Sequence, residues 1–329
     1  MKRKAGINGF GRFGLHLLKY WLDRNQESEL TIDYINDDTL SLEKAYNVIL
    51  NDQAVIFNKY KINLAGNVLI FQDSSEHIHK VQYTHTPQKE GIPWLGKPDF
   101  LFECSGKNTT REDCQIFLRG NTHLVIISAT SWNAEKTLIY GFNHEQYQPS
   151  QQVISYGSCT VNAYVPLANY LEETYGIADS DVNVIHNLQS YRLKQNYTLI
   201  RKFCTLEKSG PHLLNFLGAH NFTVNYTVVP YAGVSMLDFR FRLKHFPRLE
   251  EVLQGLEYAF SRGTLKNLYG FGEVDTGPEV YNCTTYSAIF IKENAKIINQ
   301  SLYLYGYFDN ENSVNRYFDL ASYIATKHK

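Results

Sequence analysis

A cysteine becomes a nucleophile when its surroundings favour the thiolate, and the run Ser155-Tyr156-Gly157-Ser158-Cys159-Thr160-Val161-Asn162 offers such a setting. Val153-Ile154 before it read as the end of a buried strand. After it, Leu167, Leu171 and Tyr175 recur one turn apart, which predicts an amphipathic helix over 163–175. Cys159 therefore stands at a strand-to-helix turn, near a helix N-terminus. Unpaired N–H groups and the helix dipole stabilise an anion there. With a base or cation beside it, Cys159 would be catalytic; without one it would be a small buried hydrophobe.

The second stretch with chemistry in it is Gly9-Phe10-Gly11-Arg12-Phe13-Gly14. A short strand, Lys4-Ala5-Gly6-Ile7-Asn8, leads in, and an apolar helix over 15–22 leads out. This is G-x-G-x-x-G between strand and helix, the context that a dinucleotide site needs. Gly9 permits the tight turn, Gly11 lets the backbone approach a pyrophosphate, and Gly14 lets helix pack on strand. A second strand over 30–35 ends in Asn36-Asp37-Asp38. An acid there binds a ribose hydroxyl and repels the extra phosphate of NADP, so NAD is favoured. The alternative for this pair is a helix N-cap, because a helical stretch follows over 40–48.

Further buried strands over 99–103 and 124–128, with a helix over 110–119 between them, continue the alternation to about residue 158. They predict a doubly wound, parallel Rossmann domain, with Ser105, Gly106 and Ser128 lining the cofactor crevice. Residues 54–57, 68–71 and 79–83 read as short strands. His77, His79 and His85 among them lack ligand spacing on a fixed scaffold and read as surface or edge-strand residues, so no metal site is expected. The second half carries a strand over 182–186 ending in His186, a basic stretch, and long alternating strands over 223–229, 235–243 and 281–291. With helices over 250–261 and 314–326, this predicts an α+β domain whose sheet is mostly antiparallel.

Apolar content of 43% and charged content of 20% are those of a globular protein. A formal net charge of −1 gives no footprint for nucleic acid or an acidic membrane surface. No apolar run is long enough to span a bilayer. The basic start, Met1-Lys2-Arg3-Lys4, runs straight into Gly6-Ile7-Asn8-Gly9 without an apolar signal core, so the expected location is cytoplasmic. Five widely spaced cysteines without a CxxC pair argue against a disulfide framework or a zinc site.

Taken together, these motifs resemble glyceraldehyde-3-phosphate dehydrogenase and its relative erythrose-4-phosphate dehydrogenase. The matching segments are Asn8 to Gly14, Ile35-Asn36-Asp37, Val125 to Ala129, Gly141-Phe142-Asn143-His144-Glu145, Ser158 to Asn162, Val184-Ile185-His186 and Asp309-Asn310-Glu311. They occur in the family's order and span nearly the whole chain. The resemblance implies an NAD-binding Rossmann domain over 1–158, completed by a C-terminal helix over 312–329, and a catalytic domain over 159–311. It implies that His186 deprotonates Cys159, which attacks an aldehyde. Hydride transfer to NAD leaves a thioester that inorganic phosphate cleaves. The Cys159 N–H and His186 would stabilise the oxyanion, Phe10 to Phe13 would offer N–H groups to the pyrophosphate, and Asn310 would contact the nicotinamide amide. Ser158, Thr160 and Thr205 would hold phosphate. The assembly implied is a homo-oligomer, dimer or tetramer.

The departures from the family concern substrate. Its Arg-Val-Pro-Thr motif, whose arginine binds the substrate phosphate, reads Val228-Val229-Pro230-Tyr231 here. A threonine after the catalytic histidine becomes Gln189, and the family's segment Asp-Ser-x-His-Gly is absent near residues 51–54. A charge-assisted hydrogen bond contributes about 1.5–3 kcal/mol, which valine cannot replace. The loop between His186 and Val228 is shorter than the family's, which puts tetramer assembly in question. It carries Arg192, Lys194, Arg201 and Lys202, any of which could meet an anion from a new direction or form a solvated basic loop. The expectation is an aldehyde dehydrogenase with altered substrate. The alternatives are ordinary phosphorylating activity, release of the thioester to water, and a paralogue that binds NAD without turnover.

Overall fold

The computed structural model describes residues 2–187, 200–230, 233–309 and 312–328. The chain forms two compact units. One comprises Met1–Leu138, Asn143–Gly157 and Val314–Lys329, the other Ile139–Phe142 and Ser158–Ser313.

The first unit is built on nine strands: β1 (Arg3–Asn8), β2 (Leu30–Asp37), β3 (Lys61–Ala65), β4 (Val68–Gln72), β5 (Ile78–His85), β6 (Phe100–Glu103), β7 (Leu124–Ile127), β8 (Lys136–Thr137) and β9 (Val153–Ser155). They lie in the order β3-β4-β5-β2-β1-β6-β7-β9-β8. From β5 to β8 every pairing is parallel, and β3–β4 is an antiparallel hairpin on the edge. β6 and β7 read Phe-Leu-Phe-Glu and Leu-Val-Ile-Ile and are buried at every position, as parallel strands covered on both faces are. Helices α1 (Arg12–Arg24), α2 (Leu42–Asn51) and α3 (Arg111–Cys114) follow β1, β2 and β6. The strand order reverses at β1, with β2 on one side and β6 on the other, so the carboxyl ends of β1 and β6 open a crevice at a topological switch point.

The first helix of the second unit is α4 (Cys159–Tyr175). The unit also contains β10 (Ile177–Asn187), β11 (Ile200–Arg201), α5 (Leu206–Leu213), β12 (Phe222–Val229), β13 (Ser235–Leu243), α6 (Leu249–Ser261), β14 (Tyr269–Gly272), β15 (Ala288–Ile291), β16 (Lys296–Ile298) and β17 (Ser301–Phe308). The sheet runs β11-β12-β10-β13-β17-β15-β14, with β16 on β17. Its pairings are antiparallel except β10–β12 and β14–β15. Its core joins Tyr164, Leu167 and Leu171 of α4 to Val182, Phe239 and Phe241 of the sheet and Leu256 of α6. The last helix, α7 (Ser313–Lys327), belongs from Val314 onward to the first unit. Tyr317 anchors it there, donating to the Ile126 carbonyl and packing edge-on to Phe13 and Tyr156. The fold is α/β, with a Rossmann-type parallel sheet and a second, mainly antiparallel one. No helix of the described residues is long and apolar enough to cross a membrane.

Several predicted elements differ. Residues 54–57 are a turn, because Asp52 Oδ1 accepts the N–H groups of Ala54 (2.9 Å) and Val55 (2.7 Å). The hairpin strand is β3 instead. The helix predicted over 110–119 shrinks to α3 and a 3-10 turn, Gln115–Phe117. The strand predicted over 281–291 is only β15, preceded by a 3-10 turn, Pro278–Tyr281, and by Cys283 at φ 55°. Neither Asp37 nor Asp38 caps α2; Ser41 does, its Oγ accepting the Lys44 N–H at 3.5 Å.

Candidate active site

The glycine loop meets steric demands that only glycine satisfies at two positions. Gly9 has φ +98°, and a Cβ there would lie 2.4 Å from the Ser105 N. A Cβ on Gly14 would lie 2.2 Å from the Gly9 carbonyl oxygen, so α1 could not sit this close to the loop. A Cβ on Gly11 would meet no protein atom within 4 Å, which leaves backbone accessible to a ligand. Gly11 is the N-cap of α1 and gives it no side-chain cap, the arrangement in which N–H groups can meet an anion.

Below the loop, side chains tie the strand ends together. Asn8 Nδ2 and Asn108 Nδ2 donate to Glu103 Oε2 (2.7 and 3.1 Å), and Asn36 Nδ2 donates to Asn8 Oδ1 (3.2 Å). Burial pushes the Glu103 carboxyl up, against the opposing pull of hydrogen bonds from Ser105, Asn8 and Asn108. Asp37 ends β2 as predicted, but it mainly organises its own surroundings. Its Oδ2 accepts the Phe10 N–H at 2.6 Å, and its Oδ1 accepts from Thr39 N, Thr39 Oγ1 and Leu40 N at 2.9, 3.0 and 2.7 Å. The Phe10 N–H, expected to face a pyrophosphate, is thus engaged by Asp37; the Phe10 ring is buried against Tyr83. Arg12 and Phe13 open α1 as its first two residues; the Arg12 guanidinium pairs with Asp52. Ser128 follows β7 and donates its N–H to the Glu103 carbonyl at 3.0 Å. The pocket at these strand ends is lined by Asn8, Gly9, Asn36, Asp38, Thr86, Pro87, Lys89, Ser105, Lys107 and Asn108.

In the second unit Cys159 is the first residue of α4, and Ser158 is its N-cap, with Oγ accepting the Val161 N–H at 3.4 Å. His186 lies near the end of β10. Its Nε2 is 3.7 Å from Cys159 Sγ, and its Nδ1 is 2.6 Å from the Asn187 carbonyl oxygen. A carbonyl only accepts, so Nδ1 carries a proton and Nε2 is the nitrogen that addresses sulfur. The imidazole is 5% exposed, flanked by the Tyr226 ring (5.4 Å) and the Phe308 ring (5.7 Å). Ser158 Oγ lies 2.9 Å from Thr205 Oγ1 and 3.2 Å from Thr160 Oγ1. Three hydroxyls expected to hold an anion are therefore in contact. Val228 pairs with His186 across β10–β12 and is 3% exposed.

The sequence did not single out Tyr226. It stands opposite Val184 in the register, and burial, then the Cys159 and Cys204 sulfurs, push its phenol up, so it stays a protonated donor. Its position depends on the pairing of β12 with β10, which no local pattern encodes. Arg201 Nη2 donates to the Val224 carbonyl at 3.2 Å and pairs with Glu207 at 4.0 Å. Gln189, Arg192, Lys194, Asn310 and Tyr231 lie outside the described residues. Of the three histidines near the hairpin, His77 pairs with Asp73 (3.2 Å) and the His85 ring meets the Asp37 carbonyl (3.0 Å), while burial pushes His79 down. Among the described residues no group of three His, Cys, Asp or Glu side chains could hold a metal ion.

No family model matches the chain. Curated relatives do, from end to end. Glyceraldehyde-3-phosphate dehydrogenase 2 of Caenorhabditis briggsae is 26% identical over 345 aligned positions, covering 99% of both chains. Glyceraldehyde-3-phosphate dehydrogenase 4 of Caenorhabditis elegans is 25% identical, again over 99% of both. The chloroplastic glyceraldehyde-3-phosphate dehydrogenase GAPCP1 of Arabidopsis thaliana is 28% identical over 98% of this chain and 78% of its own. Along its whole length the chain is similar to glyceraldehyde-3-phosphate dehydrogenases, at 25–28% identity.

Proposed function

We propose that this protein is an NAD-dependent dehydrogenase that oxidises an aldehyde through a covalent bond to Cys159, and that its aldehyde is not glyceraldehyde 3-phosphate. The observation that carries the proposal is the Cys159–His186 pair, with sulfur at a helix N-terminus, 3.7 Å from an imidazole nitrogen whose partner nitrogen is held by Asn187. His186 Nε2 takes the thiol proton, and the first turn of α4 favours the resulting thiolate. The thiolate adds to the carbonyl carbon. The Cys159 N–H and protonated His186 stabilise the oxygen anion. Bound NAD supplies the acceptor for the hydride, and a thioester remains on Cys159. The hydroxyls of Ser158, Thr160 and Thr205 support inorganic phosphate as the group that cleaves it, giving an acyl phosphate. This same cluster favours the second reading, ordinary phosphorylating activity.

Substrate choice turns on Val228. A phosphate on the aldehyde would find an apolar, buried side chain beside His186 where the family has an arginine. Of the basic loop residues, Arg201 is engaged with Val224 and Glu207, and Lys202 is exposed, its backbone N–H bound to the Tyr226 carbonyl. The aldehyde class that fits is one without a phosphate at that end. The protein works as a homo-oligomer in the cytoplasm.

The test is NADH formation by the purified protein with glyceraldehyde 3-phosphate and with unphosphorylated aldehydes, each with and without inorganic phosphate, beside Cys159→Ser. We expect turnover of an unphosphorylated aldehyde that Cys159→Ser abolishes. A fast, phosphate-dependent rate on glyceraldehyde 3-phosphate would instead establish ordinary activity. NADH formation that survives Cys159→Ser would rule out the covalent route.

A further inference from the structure

We propose that Lys107 and Lys89 form a phosphate subsite at the strand-end pocket of the first unit, so that the protein accepts the 2′-phosphorylated dinucleotide NADP beside NAD. The inference rests on the dinucleotide reading of that crevice. An acid at the end of the second strand excludes NADP by repelling its extra phosphate, provided that its charge faces the ribose. Asp37 occupies that place, but it is 6% exposed, and four protein donors bind its two oxygens: the N–H groups of Phe10, Thr39 and Leu40 and the Thr39 hydroxyl. Its charge is compensated from the protein side.

The carboxylate that lines the pocket is its neighbour Asp38, and that one is ion-paired to Lys107. Two lysines line the pocket with Asp38. Lys89 donates to two neutral oxygens, Asn108 Oδ1 and the Asp113 carbonyl, both at 2.8 Å, which fix its ammonium without balancing its charge. Lys107 has a side chain 60% exposed, on a stem flexible enough to leave Asp38. A phosphate carries more charge than a carboxylate and offers more acceptor oxygens, so it competes for Lys107. Asp38, 28% exposed, is the residue that opposes it. Two neighbouring positions thus push cofactor choice in opposite directions: Lys107 toward NADP and Asp38 toward NAD.

The test is fluorescence titration of the full-length protein with NADH and with NADPH at low and high salt, for wild type, Lys107→Ala and Asp38→Asn. Binding is read directly, so no aldehyde is needed. We expect NADPH to bind within about tenfold of NADH and to weaken more with salt. Lys107→Ala should lower the NADPH-to-NADH affinity ratio about tenfold, the effect of one charge-assisted contact, and Asp38→Asn should raise it. NADPH binding about a hundredfold weaker than NADH, or a ratio that Lys107→Ala leaves unmoved, would overturn the subsite while leaving the NAD site intact. Binding of neither dinucleotide would overturn both.

Discussion

At the scale of single residues, the proposed chemistry depends on one imidazole held in one orientation. Nδ1 is fixed by the Asn187 carbonyl and the ring is flanked by Tyr226 and Phe308, so Nε2 keeps its aim at Cys159. His186→Asn removes the base, and general-base assistance contributes roughly 10²–10⁴-fold. We expect the oxidation rate to fall by that order, and alkylation of Cys159 by iodoacetamide at neutral pH to slow with it. An unchanged alkylation rate would mean that α4 alone activates the sulfur. Tyr226 acts on the imidazole through its ring. Tyr226→Ala should slow alkylation roughly tenfold by loosening His186, and Tyr226→Phe should restore it. If Phe fails to rescue, the hydroxyl matters instead. Cys159 and the glycines were legible in the sequence because their types and spacing are themselves the signal, and His186 through the resemblance to the family. Tyr226 was not, because its role arises only when β12 lies beside β10.

At the scale of elements, α4 shows how local chemistry and packing correct each other. Pro166 sits inside the helix, so it has no N–H for the Asn162 carbonyl, four residues back. Tyr269, from β14, fills the break: its hydroxyl donates to the Asn162 carbonyl (3.2 Å) and accepts the Leu167 N–H (3.2 Å). Both groups are buried, and leaving them unpaired costs about 1–3 kcal/mol. Tyr269→Phe should therefore lower the melting temperature by a few degrees while keeping the fold, as calorimetry would register. The glycine loop allows a sharper pair. Gly11→Ala places a methyl where no protein atom lies within 4 Å, so thermal stability should hold while NADH affinity falls. Gly14→Ala drives a methyl into the Gly9 carbonyl, so stability and affinity should fall together. Equal melting temperatures for the two variants would contradict the steric account. The helices α1 and α4 and the continuous apolar strand β7 were readable from sequence, though α1 and α4 start earlier than the predicted stripes, at Arg12 and Cys159. The helix over 110–119 misled because its apolar residues fit a 3.6 period, yet α3 ends at Cys114 and the chain tightens into a 3-10 turn.

At the scale of the molecule, two units carry separate cores. One lies around Trp94, Leu101, Phe117 and Val125, the other around Tyr164, Phe239, Phe241 and Leu256. A ligand held by the folded first unit and not by the unfolded chain stabilises by mass action, about 2.7 kcal/mol at a hundred times its dissociation constant. NADH at that excess should raise the melting temperature of the first unit by about 5 °C or more. No shift under saturating NADH would refute the cofactor assignment.

The sequence by itself determined what is local: the cysteine at its helix start, the glycine loop and the buried parallel strands. Each is fixed by residues adjacent in the chain, where type and spacing suffice. Only the tertiary structure decided how Asp37 divides its oxygens between Phe10 and its own loop, that Asp38 meets Lys107 69 residues away, and that Tyr226 lies against His186. The contacts of Asp37 with Phe10, Asp38 with Lys107 and Tyr226 with His186 join residues far apart in sequence, and they form only when strands pair in one register, which no single segment specifies.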